Sequence, residues 1–468
     1  MATEFHFYPG QHVHFVGIGG SGLSPIARVL LERGCIISGS DRASNTQTDA
    51  LAAAGAAIHV GHDADHVAGA DVVIISSAIS ANPEVIAAQQ AGVPIYKRRD
   101  ILPALLRDRD VIAVSGTAGK TTTTALVVHV LHTCGIDAGY IVGGVMSSTG
   151  TNASNGTHRA FVIEADEYDH MFWGLYPRIA VVTNAEYDHP DFFKTEADLF
   201  QAFEQFVRQI DSDDGALIVC YDDPGAAHLY DRYYLDVPYA ITYGLTDGVN
   251  YRAENIVVQP GGITRFDVTM PGQPLETVSL RVPGLHNIRN SLAAIAIAHE
   301  FYNLPFDRIA HALGSFTGTG RRFEFLGEQD GIVVIDDYAH HPAKIRATLQ
   351  AARSRYADRE IWAVWQPHTY SRTQTLLDDF AASFTDADHV IVTEIYAARE
   401  VPLPDVDGIS TAQALSANHQ DVRFSPDFDH TLRLLAEVRG PAVIVVMSAG
   451  DATRIGRDYL ALKSDQKA

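Results

Sequence analysis

Residues 111–131, VIAVSGTAGKTTTTALVVHVL, leave this chain few choices of fold. A short β-branched run leads into a glycine turn, and a segment with apolar residues at helical spacing follows it. Strand, turn and helix in this order are typical of α/β proteins with mostly parallel sheets. Short apolar runs alternate with amphipathic segments along the rest of the chain, so we predict an α/β fold throughout.

The turn inside this segment has the composition of a phosphate-binding loop. Its glycines let successive NH groups point at one anion, and the N-terminus of the following helix adds its dipole. A lysine there is expected to contact the terminal phosphates, and a threonine hydroxyl to hold Mg²⁺. The strict pattern has glycine at position 114, where this chain has Val114, so the loop is a shortened GTxGKT variant. An ordinary glycine turn before a helix is the alternative. The predicted nucleotide-binding residues are Gly116, Thr117, Ala118, Gly119, Lys120, Thr121 and Thr122.

The chain divides into three blocks of this kind. Its 468 residues suggest about three domains at roughly 150 residues each. We predict a Rossmann-like N-terminal domain over residues 1–108, a central P-loop ATPase-type domain over 109–320 and a Rossmann-like C-terminal domain over 321–468. The third block contains four candidate strands, within GIVVIDD, EIWAVWQP, DHVIVTEI and PAVIVVMSAG.

Composition narrows the class of ligand. The chain has 35 basic and 57 acidic residues, a net charge of −22, which repels nucleic acid and anionic membrane surfaces. Its three cysteines form no CxxC pattern, so a disulfide scaffold or zinc site is not expected and a reducing cytosol fits. The first residues contain no basic stretch followed by a long apolar one, so we expect no signal peptide, and we expect no membrane span because the apolar runs are short. We therefore predict a cytoplasmic protein with small-molecule ligands, either a monomer or a homodimer.

A second glycine turn lies near the N-terminus. Gly17, Gly19, Gly20, Ser21 and Gly22 follow a strand and precede a helix in a GxGxxG pattern. Asp41 ends the next strand, where a dinucleotide fold places its ribose-binding acid. Alone, the pattern favours NAD, and an NAD(P)-dependent oxidoreductase is one alternative; a turn needed only for packing is another. Because an ATP-type loop follows downstream, we favour a different anionic nucleotide ligand.

Further polar residues follow strands of the central and third blocks. Glu164 and His189 follow central strands and could hold a second Mg²⁺ near Lys120, although histidine is an unusual ligand for that ion. Capping or hydrogen bonding to the backbone is the alternative for both residues. Four others are candidates for nucleotide or carboxylate contacts, or else for helix caps and solvated arginines: Asn287 and Asn290 for adenine, Arg322 for phosphoryl charge and Arg372 for a carboxylate.

Taken together, the motifs resemble those of the Mur ligase superfamily over nearly the whole chain. They are HFVGIGGSG, SGSD, SSAI, GTxGKTTT, EADE, the TN…DH stretch, HNxxN, GTGRRFEFLG, DDYAHHP and QPHTYSRT. The resemblance implies four sets of roles. A UDP-sugar site is implied for Gly17 to Gly22, Ser40, Asp41, Ser77 and Ala78. An ATP site is implied for the glycine loop with Asn287, Asn290, Arg322 and Asp337. Two Mg²⁺ ions are implied for Thr121, Glu164 and His189. An amino-acid site is implied for Tyr338, His340 and Arg372.

The implied reaction is ATP-dependent amide formation between UDP-N-acetylmuramate and L-alanine through an acyl phosphate. The resemblance implies Lys120, Glu164, His189, His340 and Arg372 as catalytic residues. A sister ligase that recycles murein tripeptide is the second reading, and a non-catalytic P-loop binding module is a third. The chain departs from the family at Ala118, where the loop commonly has histidine. The backbone cradle does not need that histidine, but any role of it at the sugar carboxylate is put in doubt.

Overall fold

The computed structural model describes residues 5–76, 79, 82–259 and 262–465, and these residues form three sheets flanked by helices. The predicted α/β class with three sheet-containing domains is confirmed. Strands of the first sheet lie within residues 12–97, those of the second within 110–280 and those of the third within 324–447. The boundaries near 108 and 320 stay predictions. Within the described ranges, no helix is both long and apolar enough to cross a membrane.

The first sheet is parallel, with the strand order β3-β2-β1-β4-β5. Its strands are β1 His12–Val16, β2 Ile36–Asp41, β3 Ala57–Val60, β4 Val72–Ile75 and β5 Ile95–Lys97. Its helices are α1 Ser24–Glu32, α2 Thr46–Ala53, α3 Pro83–Ala91 and α4 Arg98–Leu105, with a 3-10 helix at Ala64–Val67. Helix α1 buries Ile26 and Leu30 against the sheet because they share one helical face. Because β1 lies between β2 and β4 and is parallel to both, the carboxyl ends of these three strands meet at one edge of the sheet.

The second sheet has ten strands in the order β15-β14-β13-β12-β11-β10-β6-β9-β7-β8. They are β6 Asp110–Ser115, β7 Gly139–Ile141, β8 Ala153–Ser154, β9 Ala160–Glu164, β10 Ile179–Val182, β11 Ala216–Cys220, β12 Tyr239–Gly244, β13 Tyr251–Val258, β14 Thr264–Thr269 and β15 Glu276–Leu280. The helices are α5 Lys120–Thr133, α6 Glu196–Val207, α7 Pro224–Tyr233, α8 Leu285–Glu300 and α9 Phe306–Ser315, with a 3-10 segment at Tyr168–Gly174. Parallel strands β9, β6 and β10 lie side by side, which aligns the loops that follow them.

The third sheet has the order β16-β17-β21-β18-β19-β20, and only its β16–β17 pair is antiparallel. The strands are β16 Glu324–Gln329, β17 Ile332–Asp337, β18 Glu360–Trp365, β19 His389–Thr393, β20 Val422–Ser425 and β21 Ala442–Met447. The helices are α10 Pro342–Arg355, α11 Tyr370–Thr375, α12 Leu377–Ala381, α13 Gly408–Leu415, α14 Phe428–Ala436 and α15 Arg454–Asp465. The four predicted strands are present as β17, β18, β19 and β21, and edge strands β16 and β20 were not predicted.

Candidate active site

The glycine loop between β6 and α5 is held from the side by the residues after β10. The hydroxyl of Thr183 donates to the carbonyl of Ala118 at 2.6 Å, and the NH of Ala118 donates to Oδ1 of Asn184 at 2.8 Å. The hydroxyl of Thr117 donates to the carbonyl of Glu186 at 2.6 Å. Because β6 and β10 are parallel neighbours, their ends bring these two segments together. The neighbouring strand end therefore fixes the shape of the loop.

Gly116→Ala is expected to disturb this loop and to weaken nucleotide binding about tenfold or more. Gly116 has a φ of +136°, and an added Cβ would lie 2.9 and 3.0 Å from backbone atoms of Asn184. Strained backbone of this kind costs on the order of 1–3 kcal/mol. Calorimetric titration with ADP checks the prediction. Gly314→Ala, in helix α9, is the matched control, because its added Cβ would lie 3.5 Å from its nearest neighbour, the carbonyl oxygen of Ser279. Unchanged ADP affinity in Gly116→Ala would contradict the proposed role of the loop.

Lys120, the first residue of α5, forms a nearly buried ion pair. Its Nζ donates to the carbonyl of Gly116 and to Oε2 of Glu167, both at 2.6 Å. The Glu167 side chain is only 1% exposed. Burial lowers the pKa of Lys120, but the attraction of Glu167 and Asp166 outweighs it and raises that pKa above its ordinary value. Burial raises the pKa of Glu167, yet Lys120 and His189 bring it down to about 2, so both partners of the pair are charged.

Acidic and imidazole groups suited to a cation lie beside this pair. One ligand atom from each of Asp166, Glu167 and His189 lies within 4.8 Å of the others. Oε1 of Glu167 is buried, lies 3.6 Å from Nε2 of His189 and has no hydrogen-bond partner among the described residues, so it is available to an ion. An oxygen-rich donor set fits Mg²⁺. Glu164 is placed differently, because its Oε1 accepts a hydrogen bond from Oγ1 of Thr121 at 2.9 Å.

A cavity of about 370 Å³ extends from the glycine loop towards the third sheet. Asn287 and Asn290 lie on its wall at the start of α8; Asn287 donates to the carbonyl of Pro283 at 2.6 Å, and Asn290 donates to Asn287 at 3.2 Å. Burial and the nearby Arg289 lower the pKa of His286 to about 4, so this imidazole is neutral. The predicted residues that line the cavity are Ala118, Gly119, Thr121, Thr122, Asn287, Asn290, Arg322 and Asp337.

Arg322 connects the third domain to the glycine loop. Its Nη2 donates to Oγ1 of Thr121 at 3.0 Å, and its guanidinium lies 4.9 Å from the ring centre of Tyr338. Arg321 lies at the same distance from that ring. Asp337 accepts the NH of Phe323 at 2.7 Å, which holds the arginine-bearing segment against the end of β17. Burial raises the pKa of Asp337, against the opposing effect of Arg322.

A second contact between the central and third domains is made by Arg372 of α11. Its Nε donates to Oδ1 of Asp188 at 2.7 Å, and its Nη2 lies 3.4 Å from Nδ1 of His189. The side chains of Arg372 and Asp188 are 4% and 1% exposed. His340 lies nearby, with Nδ1 2.8 Å from the carbonyl of Tyr338; burial holds its pKa well below the ordinary range, so it is neutral. Tyr338, His340, Arg372 and His189 therefore belong to one cluster.

The N-terminal glycine turn is braced from the end of β2. The NH of Gly17 donates to the carbonyl of Ser40 at 2.8 Å, and the NH of Gly19 donates to Oδ2 of Asp41 at 2.9 Å. The Ser40 side chain is fully buried and donates to Oε2 of Glu84 at 2.6 Å. The NH of Gly20 donates to the carbonyl of Gly17, and Ser21 follows at the exposed tip of the turn. Ser77 and Ala78 lie outside the described residues.

Arg98, which the sequence analysis did not single out, lies between this turn and the central site. A Cβ at Gly22 would stand 3.2 Å from Nη1 of Arg98. Burial lowers the pKa of Arg98 below its ordinary value, although the carboxylates of Asp166 and Glu164 oppose this effect. Sequence reasoning also missed Asp166, Glu167, Asp188 and Lys344. Asp166 and Glu167 are the last two residues of the EADE motif, which was the available signal for both.

Comparison with known proteins identifies the family. Residues 12–110 match the Mur ligase family catalytic domain, 114–298 the Mur ligase middle domain and 321–450 the Mur ligase glutamate ligase domain. The chain is 43% identical over 456 residues to the UDP-N-acetylmuramate–L-alanine ligase of Salinibacter ruber, covering 97% of this chain and 95% of the relative. This chain belongs to the Mur ligase family. The relative of the same name from Desulfatibacillum aliphaticivorans is 42% identical, with 97% and 98% coverage.

Solved structures agree with the family assignment. The crystal structure of a UDP-N-acetylmuramate–alanine ligase from Thermotoga maritima has a TM-score of 0.81 and 30% identity, covering 97% of this chain and 99% of that one. A murein peptide ligase from Psychrobacter arcticus has a TM-score of 0.71 and 28% identity, with the same coverage. Like the sequence motifs, the similarity to both runs over nearly the whole chain.

Proposed function

We propose that this Mur ligase joins L-alanine to UDP-N-acetylmuramate in an ATP-dependent reaction. The observation that carries the proposal is the meeting of three elements in one cleft. The lysine of the glycine loop, Lys120, lies with Asp166 and Glu167 on the central domain. From the third domain, Arg322 donates to Thr121, the residue after Lys120, and Arg372 donates to Asp188, the residue before His189. The relatives from Salinibacter ruber and Desulfatibacillum aliphaticivorans, 43% and 42% identical to this chain, are named UDP-N-acetylmuramate–L-alanine ligases, which supports the choice of substrates.

The chemistry follows from the weakness of a carboxylate as an acyl donor. The carboxylate of the sugar nucleotide attacks the γ-phosphorus of ATP, the bond to the β-phosphate breaks and ADP leaves. The acyl phosphate that forms has phosphate as its leaving group. The neutral amine of L-alanine then attacks the acyl carbon, phosphate departs, and the nitrogen loses one proton as the amide forms. Catalysis in such a site is mostly positioning and charge neutralisation. Lys120 and Arg322 would supply positive charge at the transferred phosphoryl group, and Arg372 would orient the amino acid.

Two positions suit Mg²⁺ when nucleotide is bound. Thr121 and Glu164, which are hydrogen-bonded to each other, would hold one ion. Asp166, Glu167 and His189 would hold the other. The ions would neutralise phosphate charge, and Lys120 would leave Glu167 for the phosphates. The NH groups of the glycine loop bind the phosphates, and Asn287 and Asn290 line the adenine side of the cavity.

The remaining substrates are assigned to the two outer domains. The N-terminal glycine turn, Ser40 and Asp41 would support the UDP-sugar, with Arg98 facing the central carboxylates. Tyr338 and His340, next to Arg372, would form the amino-acid site. A cytoplasmic location and a monomeric or homodimeric state remain predictions.

Phosphate release from Mg-ATP and UDP-N-acetylmuramate tests the proposal, with L-alanine compared against murein tripeptide. We expect release that depends on both the sugar nucleotide and L-alanine. Release with tripeptide alone would overturn the assignment and favour the activity named for the Psychrobacter arcticus protein. The same assay on Ala118→His measures what the unusual loop residue changes.

A further inference from the structure

Lys344 lies on the wall of the nucleotide cavity, and no carboxylate of the described residues lies within ion-pair distance of it. It is the third residue of α10, and the cavity of about 370 Å³ is lined by it as well as by the glycine loop. Among the residues that the structure describes, its Nζ has one polar neighbour within hydrogen-bond distance, Nε2 of His340 at 3.4 Å. In the same part of the chain, no ion pair within 4.0 Å involves Lys344. A partly buried charge in this state is unfavourable unless a ligand completes it.

The neighbouring charged groups leave an excess of positive charge around the Lys344 ammonium. Lys120 and Arg322 lie on the phosphate side, and Asp188 is the nearby acid that acts on Lys344 most strongly. That acid is already bound by Arg372 at 2.7 Å. A position in the first turn of α10 adds to the cost, because the positive end of a helix dipole repels a cation. The charged or titratable groups that face Lys344 are Lys120, Glu186, Asp188, Arg322, His340, His341 and Arg372.

We propose that Lys344 is a ligand of the transferred phosphoryl group, contacting first the γ-phosphate, then the acyl phosphate and finally the released phosphate. This inference rests on the proposed function and adds one residue to it. An anion of this kind resolves the local excess of positive charge, which no described side chain does. Lys344 belongs to the third domain, whereas Lys120 belongs to the central one. The phosphoryl group therefore binds cations from both sides of the cleft and favours closure of the two domains.

The state of Lys344 before the nucleotide arrives provides a measurable signature. Burial, together with repulsion by Lys120 and Arg322, lowers its pKa to about 8 despite the attraction of Asp188. A bound polyphosphate stabilises the ammonium form and raises this pKa again. Near pH 8, binding of an ATP analogue should therefore take up a fraction of a proton. ADP lacks the γ-phosphate and should cause less uptake.

The test compares Lys344→Gln and Lys344→Arg with the parent chain by calorimetric titration. The probes are the magnesium complexes of ADP and of the β,γ-imido analogue of ATP, each titrated in two buffers of different ionisation enthalpy. For Lys344→Gln we expect the analogue to bind about tenfold or more weakly, ADP affinity to change less than twofold, and proton uptake to disappear. Lys344→Arg should retain most of the affinity for the analogue. Lys463→Ala, a lysine on α15, is the control for charge removal.

Other outcomes overturn the proposal. Equal weakening of ADP and analogue would indicate a general structural role, and unchanged binding of both would exclude contact with the γ-phosphate. A change confined to the acid limb of the pH profile of kcat/KM for L-alanine would make Lys344 a base for the incoming amine instead. Thermal unfolding of Lys344→Gln should occur at the parent temperature or above it, since an unpaired cation is removed. The binding readouts use nucleotide alone, so they stand even if the amino-acid substrate is not L-alanine.

Discussion

Lys120→Ala is expected to lose more than a hundredfold in turnover. A preorganised cation at the position where phosphoryl charge develops typically contributes about 3 kcal/mol or more. Lys120 lies on the glycine loop, hydrogen-bonded to Gly116 and Glu167. Because Gly116 belongs to the loop whose NH groups would bind the phosphates, we expect the ammonium to need only a small movement to reach a nucleotide. Steady-state phosphate release with all three substrates measures the effect.

The design must separate lost catalysis from lost structure, because the change also leaves Glu167 buried without its cation. Glu167 has a depressed pKa of about 2, so its contribution to stability is present above its unfolded pKa of 4.5 and is lost as pH falls towards 2. Thermal unfolding of Lys120→Ala at neutral pH should therefore occur at a lower temperature. The double variant Lys120→Ala, Glu167→Gln should recover much of that stability and none of the turnover. Turnover of Lys120→Ala within threefold of the parent would refute the role of the loop.

Local motifs account for the predictable part of the site. The residues of the glycine loop are consecutive in the chain, and the strand before it and the helix after it determine where their NH groups point. The same holds for the turn at Gly17 to Gly22, which β1 and β2 support. Strands β17, β18, β19 and β21 were predictable because they are buried on both faces and read as continuous apolar runs.

Contacts between segments far apart in the chain could not be predicted in this way. The pairing of Lys120 with Glu167 and of Arg372 with Asp188 depends on which side chains meet after three sheets have formed. Ser40 shows the same limit, because its position at a strand end did not reveal that its side chain is buried against Glu84. Lys344 follows a recognised motif, yet only the structure shows that no described carboxylate lies within ion-pair distance of it.

The two strands of the third sheet that were missed, β16 and β20, both lie at its edges. Strand β16 has a register shift between Phe325 and Gly327, and its residues are mixed polar and apolar. Strand β20 has four residues, and only Ser425 among them is fully buried. An edge strand packs one side against the sheet and leaves the other to solvent, so its apolar signal is weak. Prediction from hydrophobic runs therefore favours central strands.

Arg372→Ala is expected to open the cleft between the central and third domains and to lower ligase activity at least a hundredfold. The change leaves the carboxylate of Asp188 buried with no cation at 2.7 Å, and removal of one partner from a buried pair costs about 3–5 kcal/mol. The partners lie in different domains, so opening lets water reach Asp188 without unfolding either domain. The free energy of closure should therefore change much more than the temperature of unfolding.

A double-mutant cycle with small-angle scattering tests this prediction. Arg372→Ala should increase the radius of gyration in the presence of an ATP analogue and UDP-N-acetylmuramate. Asp188→Ala combined with Arg372→Ala should restore part of the closure, because no unpaired charge remains, but not the activity. The pair Arg353–Asp388, at 2.6 Å within the third domain and partly exposed, is the matched control and should contribute about 0–1 kcal/mol. Identical scattering curves for the parent and Arg372→Ala, with a coupling energy no larger than that of the control pair, would show that this ion pair does not hold the domains together.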